Sequence, residues 1–163
     1  MRAPRRLAAL VAGALLAGCS GPARGASSAR PLPDPCRLLS EAEVQAAFQA
    51  HGAPASSYGP PHRALLAPHQ CQYDLEYTSD PQSPLVAVLA VQVAPGGLPP
   101  GPGRRLRVGG HPALLAPGPS SSALQLAAHG RRLSLTLSFS SASHPSYPPS
   151  LLVGLASAAA RRL

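Results

Sequence analysis

"RLSLTLSFS", residues 132–140, alternates apolar and polar side chains along its whole length. Successive residues of a strand point to opposite faces. The spacing therefore turns Leu133, Leu135, Leu137 and Phe139 toward a core and Ser134, Thr136 and Ser138 toward water. Just upstream, His129-Gly130 has the chemistry of a tight two-residue turn. It predicts a hairpin joining 123–128 to 132–140.

Working outward, "CQYDLEY" (71–77) alternates in the same way, with Cys71, Tyr73, Leu75 and Tyr77 on one face and Gln72, Asp74 and Glu76 on the other. "LVAVLAVQV" (85–93) is a continuous apolar run and reads as a well-buried strand after the turn "SDPQSP" (79–84). "RRLRVGGHPALLA" (104–116) reads as a short strand, a Gly-Gly turn and a second short strand through Ala113–Ala116. "APGGLPPGPG" (94–103) reads as a mobile loop. Residues 51–70 read as a further loop with a brief apolar element at Ala64–Ala67.

Helices flank the strands. Ser40 and Glu43 form a capping box, Leu39 and Val44 a hydrophobic staple, and Val44, Ala47 and Phe48 recur at helical spacing, predicting a helix over 41–50. Pro35 is expected to hold Cys36 in an extended approach to it. Pro148-Pro149 opens a second helix of about 12–14 residues, with Leu151, Leu155 and Ala159 on one side. The expected fold is α+β: a mostly antiparallel sheet of five to six strands, with an N-terminal and a C-terminal helix on one face.

Composition limits the core and the partners. The 163 residues hold 14 basic side chains, all Arg, with 4% aromatics and no Trp, so Leu, Val and Ala must fill the interior. Twenty-one prolines and 15 glycines imply long irregular connections. The basic residues are scattered in pairs such as Arg104/Arg105, Arg131/Arg132 and Arg161/Arg162. No basic stripe interleaved with aromatics suggests nucleic acid. Weak attraction to anionic lipid headgroups is the better use of the charge.

The N-terminus carries an address. Arg2, Arg5 and Arg6 precede an apolar stretch from Leu7 to Ala17, and Leu16-Ala17-Gly18-Cys19 resembles a bacterial lipobox. Eleven residues fall short of the ~20 needed to span a bilayer. Residues 1–18 are therefore expected to be a lipoprotein signal peptide, with Cys19 lipidated and 19–33 a flexible Ser/Gly/Ala/Pro-rich tether to a single domain over 34–163. Loss of Arg2, Arg5 and Arg6 takes the formal charge from +8 to +5. Acyl chains on Cys19 would hold the domain at the outer face of the cell membrane.

Three cysteines are an odd number for an exported chain. Assigning Cys19 to lipid leaves Cys36 and Cys71, and that compartment permits a disulfide between them. A metal site would want further ligands at close spacing, and a redox pair would favour a CxxC, which is absent.

The string Asp34-Pro35-Cys36-x-Leu38-Leu39-Ser40-x-x-Glu43 resembles the opening of a family of actinobacterial lipoproteins of unknown function. Cys71-Gln72-Tyr73 resembles their Cys-x-aromatic strand, with Tyr where Trp is commoner. Val108-Gly109-Gly110-His111-Pro112-Ala113 is similar to a later family segment. The resemblance implies an envelope address and a disulfide, and no known reaction.

Signs of catalysis are sparse. No GxSxG elbow is present, and Glu41 and Glu43 sit where a helix start wants acids. Asp74 and Glu76 lie two apart on one strand face and are the best candidates for paired carboxylates. His62, His69, His111, His129 and His144 fall in loops or turns, without metal-ligand spacing. In "GGLPPGPG" the prolines remove N–H donors that a phosphate would need. A ligand site is expected in the cleft between the sheet and the long loops. The expectation is a non-catalytic, lipid-anchored domain without cofactor or metal, binding a small envelope ligand or a protein partner. The alternative is a secreted hydrolase using Asp74/Glu76 or a loop Ser–His pair.

Overall fold

Seven strands, rather than five or six, join in one open antiparallel sheet. The computed structural model describes residues 31–51, 60–77, 85–118, 120–139 and 148–163. In chain order these hold α1 (Glu41–Ala50), β1 (His62–Ala67), β2 (Gln70–Tyr77), β3 (Leu85–Pro95), β4 (Arg104–Val108), β5 (His111–Pro117), β6 (Ser121–Ala128), β7 (Arg131–Phe139) and α2 (Pro149–Ala160). The strand order is β1-β2-β3-β7-β6-β5-β4. The long strand β7 thus lies in the middle, pairing with β3 on one side and β6 on the other.

The unexpected strand is β1, inside what reads as a loop. All six of its side chains are exposed, so no apolar alternation marks it; its register is set by pairing with β2. The other edge, β4, carries Arg104, Arg105 and Arg107, charges that discourage edge-to-edge association.

The alternation in 132–140 sets the layers. Leu133, Leu135 and Leu137 are buried beside Leu124 and Leu126 of β6 and Val93, Val91 and Leu89 of β3. Cys71, Tyr73 and Leu75 continue that face on β2. Val44 and Phe48 of α1 and Leu151, Leu152, Leu155, Ala156 and Ala159 of α2 close the same core. The 85–93 run is buried on one face only: Ala87, Leu89, Val91 and Val93 point inward, while Val88 and Ala90 are half-exposed and Gln92 exposed. Continuous apolarity overstated its burial because no described helix packs on the other face of the sheet.

The first helix starts as its sequence demands. Ser40 accepts a hydrogen bond from the Glu43 backbone N–H, and the Glu43 carboxylate accepts one from the Ser40 N–H at 2.8 Å. Ahead of it, Pro35–Arg37 form a single 3-10 turn capped by Asp34, which accepts from the Cys36 N–H at 2.9 Å. Cys36 therefore sits in a turn, not in an extended approach. From there it is bonded to Cys71 on β2, with 5.1 Å between the Cα atoms. The predicted signal segment, Cys19, the tether up to residue 30, the 79–84 turn and His144 lie outside the described residues.

Candidate functional site

On the sheet face that no described helix covers, small or polar residues follow one another across the strands: Gln72, Ala90, Thr136, Ala123 and Ala116. Over its β5–β6 end lies the connection from β3 to β4, predicted to be a mobile loop. Gly103 makes this approach tolerable. At φ +139°, a Cβ there would stand 2.7 Å from the Leu115 carbonyl oxygen. Pro99, Pro100, Gly101 and Pro102 then roof a cavity of about 250 Å³, floored by Leu114, Ala116, Ala123 and Gln125.

Gln125 gives this cleft its chemistry. Its side-chain carbonyl oxygen is buried and has no hydrogen-bond partner among the described residues. Buried acceptors are nearly always satisfied, because leaving one unpaired costs about 1–3 kcal/mol. The cleft is largely apolar and the Gln125 amide is the polar group on its floor, which suits an apolar ligand that also forms a hydrogen bond. No sequence motif marks Gln125. The only hint was a lone amide in the Ser/Ala/Leu strand "SSALQLAA".

Of the two predicted carboxylates, Asp74 lies on the same face, toward its other edge. Asp74 accepts a hydrogen bond from Gln72 Nε2 at 2.7 Å and stands opposite His62 in the β1–β2 ladder. The Glu76 side chain lies outside the described residues. Elsewhere, Ser150 Oγ stands 3.4 Å from His51 Nδ1, where the start of α2 meets the end of α1. Among the described residues no three His, Cys, Asp or Glu side chains gather as metal ligands, and no helix is long and apolar enough to cross a membrane.

A second depression lies at the end of the sheet where the β4–β5 and β6–β7 turns sit side by side. Gly109, His111, His129, Ser157, Ala160 and Arg161 line a space of about 400 Å³. The two imidazoles meet edge to face, 5.3 Å between ring centres. His129 holds a φ of 53°, a left-handed conformation uncommon for any residue but glycine. It forms a two-residue turn with Gly130, as Gly109 does with Gly110.

Charges are distributed unevenly. The three ion pairs among the described residues are Arg37–Asp34, Arg63–Glu41 and Arg162–Glu43, all near the capped end of α1. Hydrogen bonds from Arg162 and from the Ser40 N–H hold the Glu43 carboxyl at about 2. Arg161, Arg132, Arg107, Arg105 and Arg104 form no ion pair among the described residues.

Comparisons with protein-family models, with curated proteins and with solved structures find no match to this chain.

Proposed function

We propose that this is a lipid-anchored extracytoplasmic bacterial lipoprotein whose domain binds a small envelope ligand or a protein partner without catalysing a reaction. On this reading it belongs with the actinobacterial lipoproteins whose Asp34-Pro35-Cys36 opening it shares. Acyl chains on Cys19 hold it at the outer face of the cell membrane. The signal-like segment ending at Cys19 supports the address. The orphaned Gln125 carbonyl beneath Pro99–Pro102 carries the binding function.

The ligand places an apolar body against Leu114, Ala116 and the prolines, and directs one N–H or O–H donor to Gln125. Native mass spectrometry of the detergent-extracted lipoprotein tests this. A bound species present on the parent chain and absent from Gln125→Leu supports the site; retention by the variant removes it.

The hydrolase alternative draws on the Ser150–His51 pair rather than on Asp74. Both side chains lie at the surface, and the separation is long for an activated hydroxyl. Covalent labelling of Ser150 by a fluorophosphonate, lost in His51→Ala, would favour the hydrolase over the binding module.

A further inference from the structure

The depression at the paired turns has no counterpart in the ligand cleft's chemistry. It is walled by hydrogen-bond donors and a cation: the imidazoles of His111 and His129, the Ser157 hydroxyl and the Arg161 guanidinium. The guanidinium is exposed, donates to the Ser157 carbonyl oxygen at 3.2 Å, and forms no ion pair among the described residues. No carboxylate of the described residues lines the space. Asp34, Glu41 and Glu43 are paired with arginines near α1, and Asp74 lies on the opposite face of the sheet. A pocket of donors with unbalanced positive charge selects an anion.

Chain geometry says which anion. Arg131, two residues beyond His129, donates to the Pro31 carbonyl oxygen at 3.0 Å and to a main-chain oxygen of Leu163. Pro31 is the first described residue, and this bond holds it beside the strand that follows the His129 turn. Eleven residues lie between Cys19 and Pro31, a reach of at most about 40 Å when fully extended. On the lipid-anchored reading, the basic end is the end nearest to where the anchored segment joins the domain.

We propose that His111, His129, Ser157 and Arg161 receive the phosphate of an anionic phospholipid headgroup, seating the basic end of the domain on the membrane from which it is tethered. This rests on the lipid-anchored reading above. Arg161 supplies the charge. The two rings and the hydroxyl supply directional donors to phosphate oxygens.

The full chain, purified in neutral maltoside micelles, is titrated with phosphatidylglycerol, phosphatidylcholine and inorganic phosphate while the His111 and His129 ring signals are followed by NMR. Phosphatidylglycerol is expected to shift both rings and phosphatidylcholine neither, with Arg161→Gln weakening the response about fivefold. His129→Asn keeps a residue that accepts the left-handed turn and should weaken binding without unfolding the hairpin. Inorganic phosphate acting as strongly as phosphatidylglycerol would overturn membrane seating in favour of a free-phosphate site. Ring signals that stay still, or shifts untouched by Arg161→Gln, would overturn the site itself. The mass of the N-terminal peptide from the same sample reads the anchor separately. Unmodified Cys19 with responding rings defeats the anchor alone, and acylated Cys19 with silent rings defeats the headgroup site alone.

Discussion

The Tyr73 hydroxyl donates a 2.6 Å hydrogen bond to the Leu39 carbonyl oxygen, across 34 residues of sequence and inside the core. It ties the residue just before the α1 cap to the middle of β2, and burial pushes the phenol's pKa upward. The Cys36–Cys71 disulfide joins the same two segments a few residues away. In a core with so few aromatics, these two links fix how α1 approaches the sheet.

Tyr73→Phe keeps the ring and removes the bond, leaving a buried carbonyl without this partner. A loss of about 1–3 kcal/mol is expected, read as a lower urea midpoint with unchanged slope. A variant as stable as the parent would show that the hydroxyl contributes nothing net.

Opening the disulfide releases a loop spanning 35 residues. The chain-entropy relation gives about 3–4 kcal/mol for such a loop. Against a typical domain stability of roughly 5–15 kcal/mol, reduction should lower the melting temperature markedly. Thermal unfolding with and without reductant reads the effect, and non-reduced peptide mapping should show Cys36 joined to Cys71.

Glu43 couples stability to acid. Its carboxyl is held at about 2 against an ordinary 4.5, first by the Arg162 hydrogen bond and then by the Ser40 N–H. A depressed folded-state value adds stability that is present above 4.5 and is lost as pH falls toward 2. About a third of the Glu43 side chain is exposed, at 32%, so solvent screening keeps the effect well below the full shift. Urea midpoints should fall between pH 5 and pH 2 in the parent, and less steeply in Glu43→Gln.

Gln125→Leu should trade binding for stability. Removing the unsatisfied acceptor relieves a penalty of about 1–3 kcal/mol, so the ligand-free variant should melt higher than the parent while losing the bound species. A lower melting temperature would mean that the amide is already satisfied.

Cys19→Ser tests the anchor. The variant should lose fatty-acid labelling and the diacylglyceryl mass on its N-terminal peptide. Continued labelling would place the acyl group elsewhere.

The strands with an inward apolar alternation were legible: β7 in Leu133, Leu135 and Leu137, and β2 in Cys71, Tyr73 and Leu75. Period-two burial needs only local sequence to be seen. The start of α1 was legible for the same reason, since Ser40 and Glu43 cap it within four residues. β1 was not legible, because every side chain in it is exposed and its strand conformation comes from pairing with β2. The pairing of Cys36 with Cys71 followed from counting cysteines. The 3-10 turn that carries Cys36 into reach did not.

By itself, then, the sequence determined the alternating strands, the capped helix and the disulfide partners, all properties of neighbouring residues or of simple counts. Only the tertiary structure decided that Pro99–Pro102 fold over one end of the sheet, and that the Gln125 oxygen has no partner among the described residues. It also brought His111, His129 and Arg161 together from three separate elements. Both sites depend on strand order and on where loops and helix ends meet, contacts between distant residues that no local pattern encodes.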